Sequence, residues 1–573
     1  MTNLLHPADG RSTAPTVSAP TGPGRSTTLA RLLGWRHLDA VLVGLLAAVV
    51  SGAFLSVPSV WYDEAATVIS ATRSWGQLWQ MVQTVDLVHA TYYAFMHLWF
   101  DVFPYSPVSL RVPSTLATGL AAAFTVVLTR TLTDRRTAVV AGLLFCVIPR
   151  VTWMGGEGRS YAFSALFAVT LTLVLVVASR RTAQVGLTRT RASAVRWWVG
   201  YAVLAVVAVL FFMYVALVVV GHGVTMLVRV LRDRHDRREG VHHDDVVDEW
   251  ARTGSIHVVT AADLEQAEAD RAGRRSVRGA SGALLGWFCG AAVAGLASLP
   301  VVFLTSEQSG QVGWIDRPSF STIKQVLTTQ WFYQNDQFAV FAWMLMLAGV
   351  VLIGARLVPR ARGVAEVALP WLIVPTVGLV GVSLVTDPLY SPRYLTFGTP
   401  AVAIMMAVAL AAVPWKRVIA LVLLLAVGLS APTWERQRQP EAKDSAAWNQ
   451  VADLVSEQRA LEPAGTSEGV VFGPVRRHPK ATSRIIENTY PQAFEGMSDF
   501  TLETPAAETG GLWETQYPLE DVIDRTDDLD VVWLITSDKQ DWRPRVTSDL
   551  AARGFRVADE WHLTRTNVLK YER

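Results

Sequence analysis

Charge is scarce in this chain. Of its 573 residues only 17% are Asp, Glu, Lys or Arg, while 51% are hydrophobic. Ordinary globular chains carry about a quarter charged residues, so the composition points to a multi-span membrane protein. The 21 tryptophans fit that class, because Trp collects where apolar chain meets lipid headgroups. A net charge of only +2 gives no reason to expect a nucleic acid partner. Cysteine is nearly absent as well: Cys146 and Cys289 both lie inside apolar runs. That placement argues against a disulfide framework or a metal cage and reads both as small core residues.

Residues 1–36 are rich in Pro, Gly, Ser and Thr and cannot supply a core, so a disordered cytoplasmic tail is expected there. The apolar run that follows, near 38–58, is too long for a signal-peptide core and lacks a small-residue cleavage site, which makes it a retained anchor. Runs of about 20 apolar residues recur near 109–130, 137–150, 160–179, 197–212, 213–230, 281–304, 337–356, 365–386, 395–413 and 416–432. The expectation is a polytopic α-helical membrane protein with about eleven transmembrane helices over 37–432. The stretch from 197 to 230 is too long for one crossing and is split at Phe211, Phe212, Met213 and Tyr214. With the amino terminus inside, "TLTDRRT", "SRRTAQVGLTRTRASAVR", "RVLRDRHDRREG", "ARLVPRARG" and "VPWKR" all become inward loops, and each carries Lys or Arg.

That parity turns the loops 59–108 and 305–336 outward, and the loop 232–280 inward. The inward loop contains "VHHDDVVDEW", but His242, His243, Asp244 and Asp245 match no zinc or calcium spacing, and a solvated loop is the better reading. Residues 433–573 are mixed polar and apolar: "WNQVADLVSEQRAL" has helical periodicity, "GVVFGPV" and "LDVVWLITS" read as short buried strands, and "RVTSDLAARGF" reads as a helix before a final strand. A small soluble extracytoplasmic α/β domain is expected there.

Within "SVPSVWYDEAATVIS", residues 56–70, Asp63 and Glu64 stand between aromatics and small residues just past an apolar run. Two acids at a helix start gain about 0.3–1 kcal/mol from the dipole, which by itself explains them. The setting adds more, since a carboxylate at the edge of hydrocarbon is partly desolvated and becomes a stronger base. Neighbours on a helix diverge by about 100°, so the two acids divide the work: one serves as base, the other is anchored to protein or binds substrate. Asp86 and His89 recur in "TVDLVHATYY". The loop "PRVTWMGGEGRSYAF" brings Glu157, Arg159 and Tyr161 to the head of a helix, and "TDPLYSPRYLTFGTP" does the same for Arg393 and Tyr394. One Arg-Tyr pair is explained by snorkelling, but two at the same depth suggest a common anionic partner, because Arg is suited to phosphate. Trp314, in the polar and aromatic loop 305–336, adds a surface of the kind that binds sugars.

Together "WYDEAATV", "VDLVHATYY" followed by "LRVPSTLA", "GEGRSYAF" and "SPRYLTFGTP" resemble membrane glycosyltransferases of the GT-C fold, in the branch of protein O-mannosyltransferases and lipid A aminoarabinose transferases. The chain has "DLVHATYY" where that group commonly has D-x-H-P-P-L-Y-Y. The carboxy-terminal domain is similar to those of actinobacterial cell-envelope mannosyl- and arabinosyltransferases. The resemblance implies a multi-pass cell-membrane enzyme, active on its extracytoplasmic face. It would transfer a sugar, mannose first and arabinose second, with inversion, from a polyprenyl-phosphate donor to a glycan, lipoglycan or protein acceptor. It also implies Asp63 as general base with Glu64 beside it, Asp86 as the acid of the loop's second half, and Arg159, Tyr161 and Arg393 near the carrier phosphate. Tyr394 joins the phosphate set, and His89, Glu157 and Trp314 the substrate set. Beyond the lipid-linked donor no cofactor is named: the arginines can replace the metal that diphosphate donors need, and a divalent cation is left open without ligands. Nucleotide sugars are not available outside the cytoplasm, so a donor arriving within the membrane is the coherent choice. A lipid or sugar transporter or flippase would place ionisable groups deep in several spans, whereas here they gather at one face.

Overall fold

The computed structural model describes residues 37–251, 261–308, 310, 313, 315–358, 361–476 and 478–573. The tail expected over 1–36, Trp314 and the side chains of His242, His243, Asp244 and Asp245 lie outside the described residues.

Each expected apolar run holds a helix. Among the described residues nine are long and apolar enough to cross a membrane: Pro107–Leu132, Tyr161–Ala183, Arg191–Phe211, Met213–His235, Gly279–Glu307, Asp336–Gly354, Arg362–Val385, Pro392–Ala411 and Lys416–Arg436. Leu38–Gly52 and Arg135–Val147 are shorter and fill the two remaining runs. The long stretch breaks at Phe212, which is extended at φ −155° and ψ 98° before a 3-10 turn over Met213–Val215. Aromatic packing favours this break: Phe211 lies against Phe163 and Tyr92, and Phe212 against Tyr161, Tyr214 and Phe397. The segment 232–280, expected as a solvated inward loop, is more helical than that, since helices run over Ala216–Ala251 and Ala261–Glu307.

Close helix contact relies on small residues. A Cβ on Gly44 would stand 2.8 Å from the carbonyl oxygen of Gly119, and the reverse is equally true, so Leu38–Gly52 and Pro107–Leu132 touch backbone to backbone. Cys146 is buried in the core, but Cys289 is exposed on its helix, which corrects the expectation that both are core residues. An apolar run does not say which of its faces packs inward.

The turns that bear Arg130, Arg135, Arg180 and Arg229 lie together at one end of the bundle. There Asp39 pairs with Arg130 and, at 3.0 Å, with Arg135, Arg180 donates to the carbonyl of Thr131, and Arg229 pairs with Glu366 at 3.2 Å. At the opposite end lie the first loop, built from helices Tyr62–Ala71, Trp75–Thr84 and Ala90–Val102, and the carboxy-terminal domain. The Ser74–Gln77 capping box starts the second of these helices, satisfying backbone N–H groups at its head.

The carboxy-terminal domain opens with helix Trp448–Arg459. Its strands are β1 (Glu468–Phe472), β2 (Pro474–Val475), β3 (His478–Thr482), β4 (Leu502–Thr504), β5 (Thr515–Gln516), β6 (Val531–Ser537), β7 (Arg556–Leu563) and β8 (Thr566–Glu572). The main sheet has the order β1-β6-β8-β7, with β1 parallel to β6 and the remaining pairs antiparallel. All seven residues of β6 are buried, which accounts for its unbroken apolar run in "LDVVWLITS". The chain ends in a β7-β8 hairpin rather than the single strand expected.

Candidate functional site

Asp63 and Glu64 occupy the first turn of helix Tyr62–Ala71, where the dipole favours acids. The angular divergence of adjacent helical positions sends them into different surroundings.

Glu64 is fully buried. Arg111 grips it with two hydrogen bonds, Nε to Oε1 at 3.0 Å and Nη2 to Oε2 at 2.7 Å, and the Gly158 amide and the Lys443 ammonium also donate to Oε1, at 2.8 and 2.6 Å. The remaining Arg111 donors go to the carbonyls of Leu55, Pro58 and Ser59 at 2.6 to 2.9 Å. Burial alone would raise the Glu64 carboxyl, but Arg111 and Lys443 outweigh it and hold the group well below the usual carboxylate range. Glu157 shares the Lys443 ammonium at 3.0 Å. Burial pushes its carboxyl up to about 7, against the pull of Lys443 and with the push of Glu64. These residues join the first loop, the second span and the carboxy-terminal segment.

Asp63 faces the other way and keeps 21% of its side chain exposed. Its Oδ2 accepts from Arg393 Nη1 at 2.9 Å, while its carbonyl accepts from Arg159 Nη1 at 3.1 Å. Arg159 is buried and forks across several acceptors: Nη1 also reaches Tyr93 Oη at 3.2 Å and Thr67 Oγ1 at 3.3 Å, and Nη2 reaches His89 Nε2 at 2.8 Å. An acceptor ring nitrogen is unprotonated, and burial together with Arg159 and Arg393 lowers the His89 imidazole well below its ordinary value. Tyr93 in turn donates to Asp86 Oδ2 at 2.8 Å. Asp86 is raised by burial, opposed by Arg159 and the Tyr93 hydrogen bond and reinforced by Asp63. Its backbone is left-handed at φ 57°, a conformation Asp tolerates better than most residues. The following turn is pinned from the loop 305–336, where Gln308 Oε1 accepts from the Leu87 amide at 3.0 Å.

Tyr161 stacks toward Trp153 with centroids 5.2 Å apart, and Tyr394 stacks on Tyr214 at 4.9 Å. Arg393 lies over the Tyr394 ring at 5.9 Å, and Phe212 packs against both Tyr161 and Tyr394. The structure therefore brings Asp63, Asp86, His89, Arg159, Tyr161, Arg393 and Tyr394 together, and sets Glu64 and Glu157 in a second cluster with Arg111 and Lys443. Trp61 joins the two: its indole N–H donates to Glu157 Oε2 at 3.0 Å, and Arg393 lies over its ring at 5.8 Å. Sequence reasoning missed Tyr93, Arg111 and Lys443. Arg111 sits in the quoted "LRVPSTLA", but nothing local ties Lys443 to Glu64. Among the described residues no group of three or more His, Cys, Asp or Glu side chains is disposed to hold a metal ion.

The carboxy-terminal domain is docked on this end. Tyr490 Oη accepts from the Val60 amide at 2.9 Å, Tyr105 Oη donates to the Thr489 carbonyl at 2.9 Å, and Arg73 donates to the Ala506 carbonyl at 2.7 Å. Tyr62 stacks flat on His478 with ring centroids 3.4 Å apart.

No protein-family model and no curated protein matches the sequence. The fold is shared with a solved structure. ArnT from Cupriavidus metallidurans in the apo state aligns over 94% of this chain and 98% of its own, with 14% identity and a TM-score of 0.50. The same protein bound to undecaprenyl phosphate aligns over 94% and 98%, with 14% identity and a TM-score of 0.44. The archaeal oligosaccharyltransferase AglB from Archaeoglobus fulgidus, in complex with an inhibitory peptide and a dolichol-phosphate, aligns over 91% and 71%, with 12% identity and a TM-score of 0.42. This chain has the GT-C fold: a polytopic helical membrane protein with a small carboxy-terminal α/β region.

Proposed function

We propose that the chain is an inverting membrane glycosyltransferase that moves a sugar, mannose as first choice, from a polyprenyl-phosphate carrier to a cell-envelope glycan, lipoglycan or protein acceptor. The observation that carries this reading is the convergence of two guanidinium groups on one residue, Asp63: Arg393 on its partly exposed carboxylate and Arg159 on its main-chain carbonyl. A base and two phosphate-competent cations are what direct displacement at an anomeric carbon requires. The GT-C fold supports glycosyl transfer, and the gathering of arginine-bearing turns at the far end of the bundle supports an extracytoplasmic site.

In this mechanism the donor phosphate competes with Asp63 for Arg393. Once the guanidinium turns to the phosphate, the Asp63 carboxylate accepts the proton of the attacking acceptor hydroxyl, a contribution of about 10²–10⁴-fold. The hydroxyl oxygen forms the new bond to the anomeric carbon as the bond to the phosphate oxygen breaks. Arg159 and Arg393 stabilise the charge gathering on the departing polyprenyl phosphate. His89, as a neutral acceptor, and Tyr93 keep the Arg159 fork aimed. Glu64, bound to Arg111 and Lys443, positions the helix turn that carries Asp63. Membranes carrying the protein, supplied in turn with labelled polyprenyl-phosphate-mannose and polyprenyl-phosphate-arabinose, test the reading. Transfer from neither donor refutes it.

A further inference from the structure

Asp86 stands at the head of the 3-10 turn Leu87–His89, the position from which an Asp side chain ordinarily accepts a hydrogen bond from its own turn. Here it makes no such bond, and its Oδ2 accepts from Tyr93 Oη at 2.8 Å instead. The amide that opens the turn is satisfied from 221 residues away in the chain, where Gln308 Oε1 accepts from the Leu87 N–H at 3.0 Å.

The other half of the Gln308 amide is used as well. Its Nε2 donates to the Val82 carbonyl at 3.2 Å, in the last turn of helix Trp75–Thr84, where carbonyls lack helical partners. One primary amide thus bridges the break between two helical segments as a peptide group would, with the left-handed Asp86 held between them at φ 57°. A left-handed residue other than glycine persists where its surroundings enforce it. The helix end has fastenings of its own, since the Val85 N–H reaches the Met81 carbonyl at 2.9 Å and Thr84 Oγ1 donates to the Gly510 carbonyl. Gln308 itself is half-buried and follows directly on helix Ala261–Glu307, so replacing it acts on the turn rather than on the bundle.

We propose that Gln308 is a positioning residue of the transfer: by capping the Leu87–His89 turn in place of Asp86, it commits the Asp86 carboxylate to Tyr93 and so keeps the Arg159 fork aimed. Tyr93 and His89 accept from Arg159 at 3.2 and 2.8 Å, and they belong to the turn and to the helix that follows it, Ala90–Val102. The competing arrangement is built into Asp86. Without Gln308 its carboxylate turns to the amides of its own turn, the ordinary place for a capping Asp, and the Tyr93 hydroxyl loses its acceptor. The effect on transfer rests on the glycosyltransferase reading above; the substitution of one cap for another does not.

The test uses the full chain in lipid nanodiscs with Gln308→Met, which keeps the length of the side chain and removes both hydrogen bonds; Gln308→Leu serves should that variant melt early. Amide hydrogen exchange over residues 85–90, read by mass spectrometry, is expected to quicken by about tenfold or more at unchanged melting temperature. With a labelled polyprenyl-phosphate sugar, kcat is expected to fall about tenfold while the donor KM stays within about twofold. The split arises because Arg393 still holds the phosphate, whereas the aim of Arg159 counts as charge gathers on it. In a Tyr93→Phe background, which cuts the link from Asp86 to Arg159, Gln308→Met is expected to cost little more. Unchanged exchange, a raised donor KM at unchanged kcat, or full additivity with Tyr93→Phe overturns the proposal. Transfer from no donor by wild type refutes the glycosyltransferase reading alone, and the exchange measurement then decides whether Gln308 caps the turn.

Discussion

Arg393 and Asp63 lie 330 positions apart in the chain and meet at 2.9 Å between Nη1 and Oδ2. The pair joins the head of a late span to the first loop, at a point where both side chains keep some exposure. An ion pair that is open to a ligand can be exchanged by one. Asp63→Asn retains an acceptor oxygen for Arg393 but cannot take a proton. Transfer is expected to fall by about 10²–10⁴-fold, with donor binding near that of wild type. Parallel transfer and equilibrium donor-binding measurements check this, and full activity in the variant sinks the assignment.

Arg393→Gln should act on the other partner. A hydrogen bond to a charged group contributes about 1.5–3 kcal/mol, and each 1.4 kcal/mol is about tenfold in affinity. The donor KM is therefore expected to rise by about 10- to 100-fold. An unchanged donor KM would remove Arg393 from the phosphate site.

The eleven helical runs and the Asp63 and Arg-Tyr stretches were legible because hydropathy and charge placement are local. Their partners were not. Arg111 is 47 residues from Glu64, and Lys443 is 379 residues away, so no spacing signals the buried cluster. The divergence of Asp63 from Glu64 followed from helix geometry, but which acid turns inward depended on where Arg111 stood. The β7-β8 hairpin escaped because the outer residues of β7 are mostly exposed, leaving only a weak apolar signal in that strand.

His89 tests whether a neutral acceptor is what the site needs. Its Nε2 takes a hydrogen bond from Arg159 at 2.8 Å, and the Gln side chain offers an oxygen for the same purpose. His89→Gln should retain most transfer activity and leave the pH profile between 5.5 and 7.5 unshifted. His89→Lys, which sets a third cation beside Arg159 and Arg393, should abolish it. A pH limb that disappears in His89→Gln would instead make the imidazole a participant in proton transfer.

The Glu64–Arg111 pair is wholly buried. Removing one partner of such a pair costs about 3–5 kcal/mol. Arg111→Met also strips donors from the carbonyls of Leu55, Pro58 and Ser59, so it should be the more damaging change, whereas Lys443→Met leaves Glu64 its bidentate partner. Melting temperatures in detergent are expected in the order wild type, Lys443→Met, Arg111→Met. A reversal would mean that the interdomain lysine, not the arginine, supports the turn.

Glu157 supplies a pH signature of the same cluster. Burial, opposed by Lys443 and reinforced by Glu64, raises its folded-state value to about 7 from an ordinary 4.5. Between those limits the folded chain holds a proton that the unfolded chain has released. Its contribution to stability is therefore complete below about pH 4.5 and lost as pH rises through 7. Glu487, also pushed up to about 7 by burial, has the same sign, while His89 has the opposite one and works below its ordinary value of 6.5. Both persist in Glu157→Gln, so the difference in melting temperature between that variant and wild type isolates Glu157. The variant should gain on wild type from pH 5 to pH 7 and hold a constant lead above it. A difference that stays flat over that window would mean the Glu157 carboxylate is already charged throughout, and that Lys443 serves both acids equally.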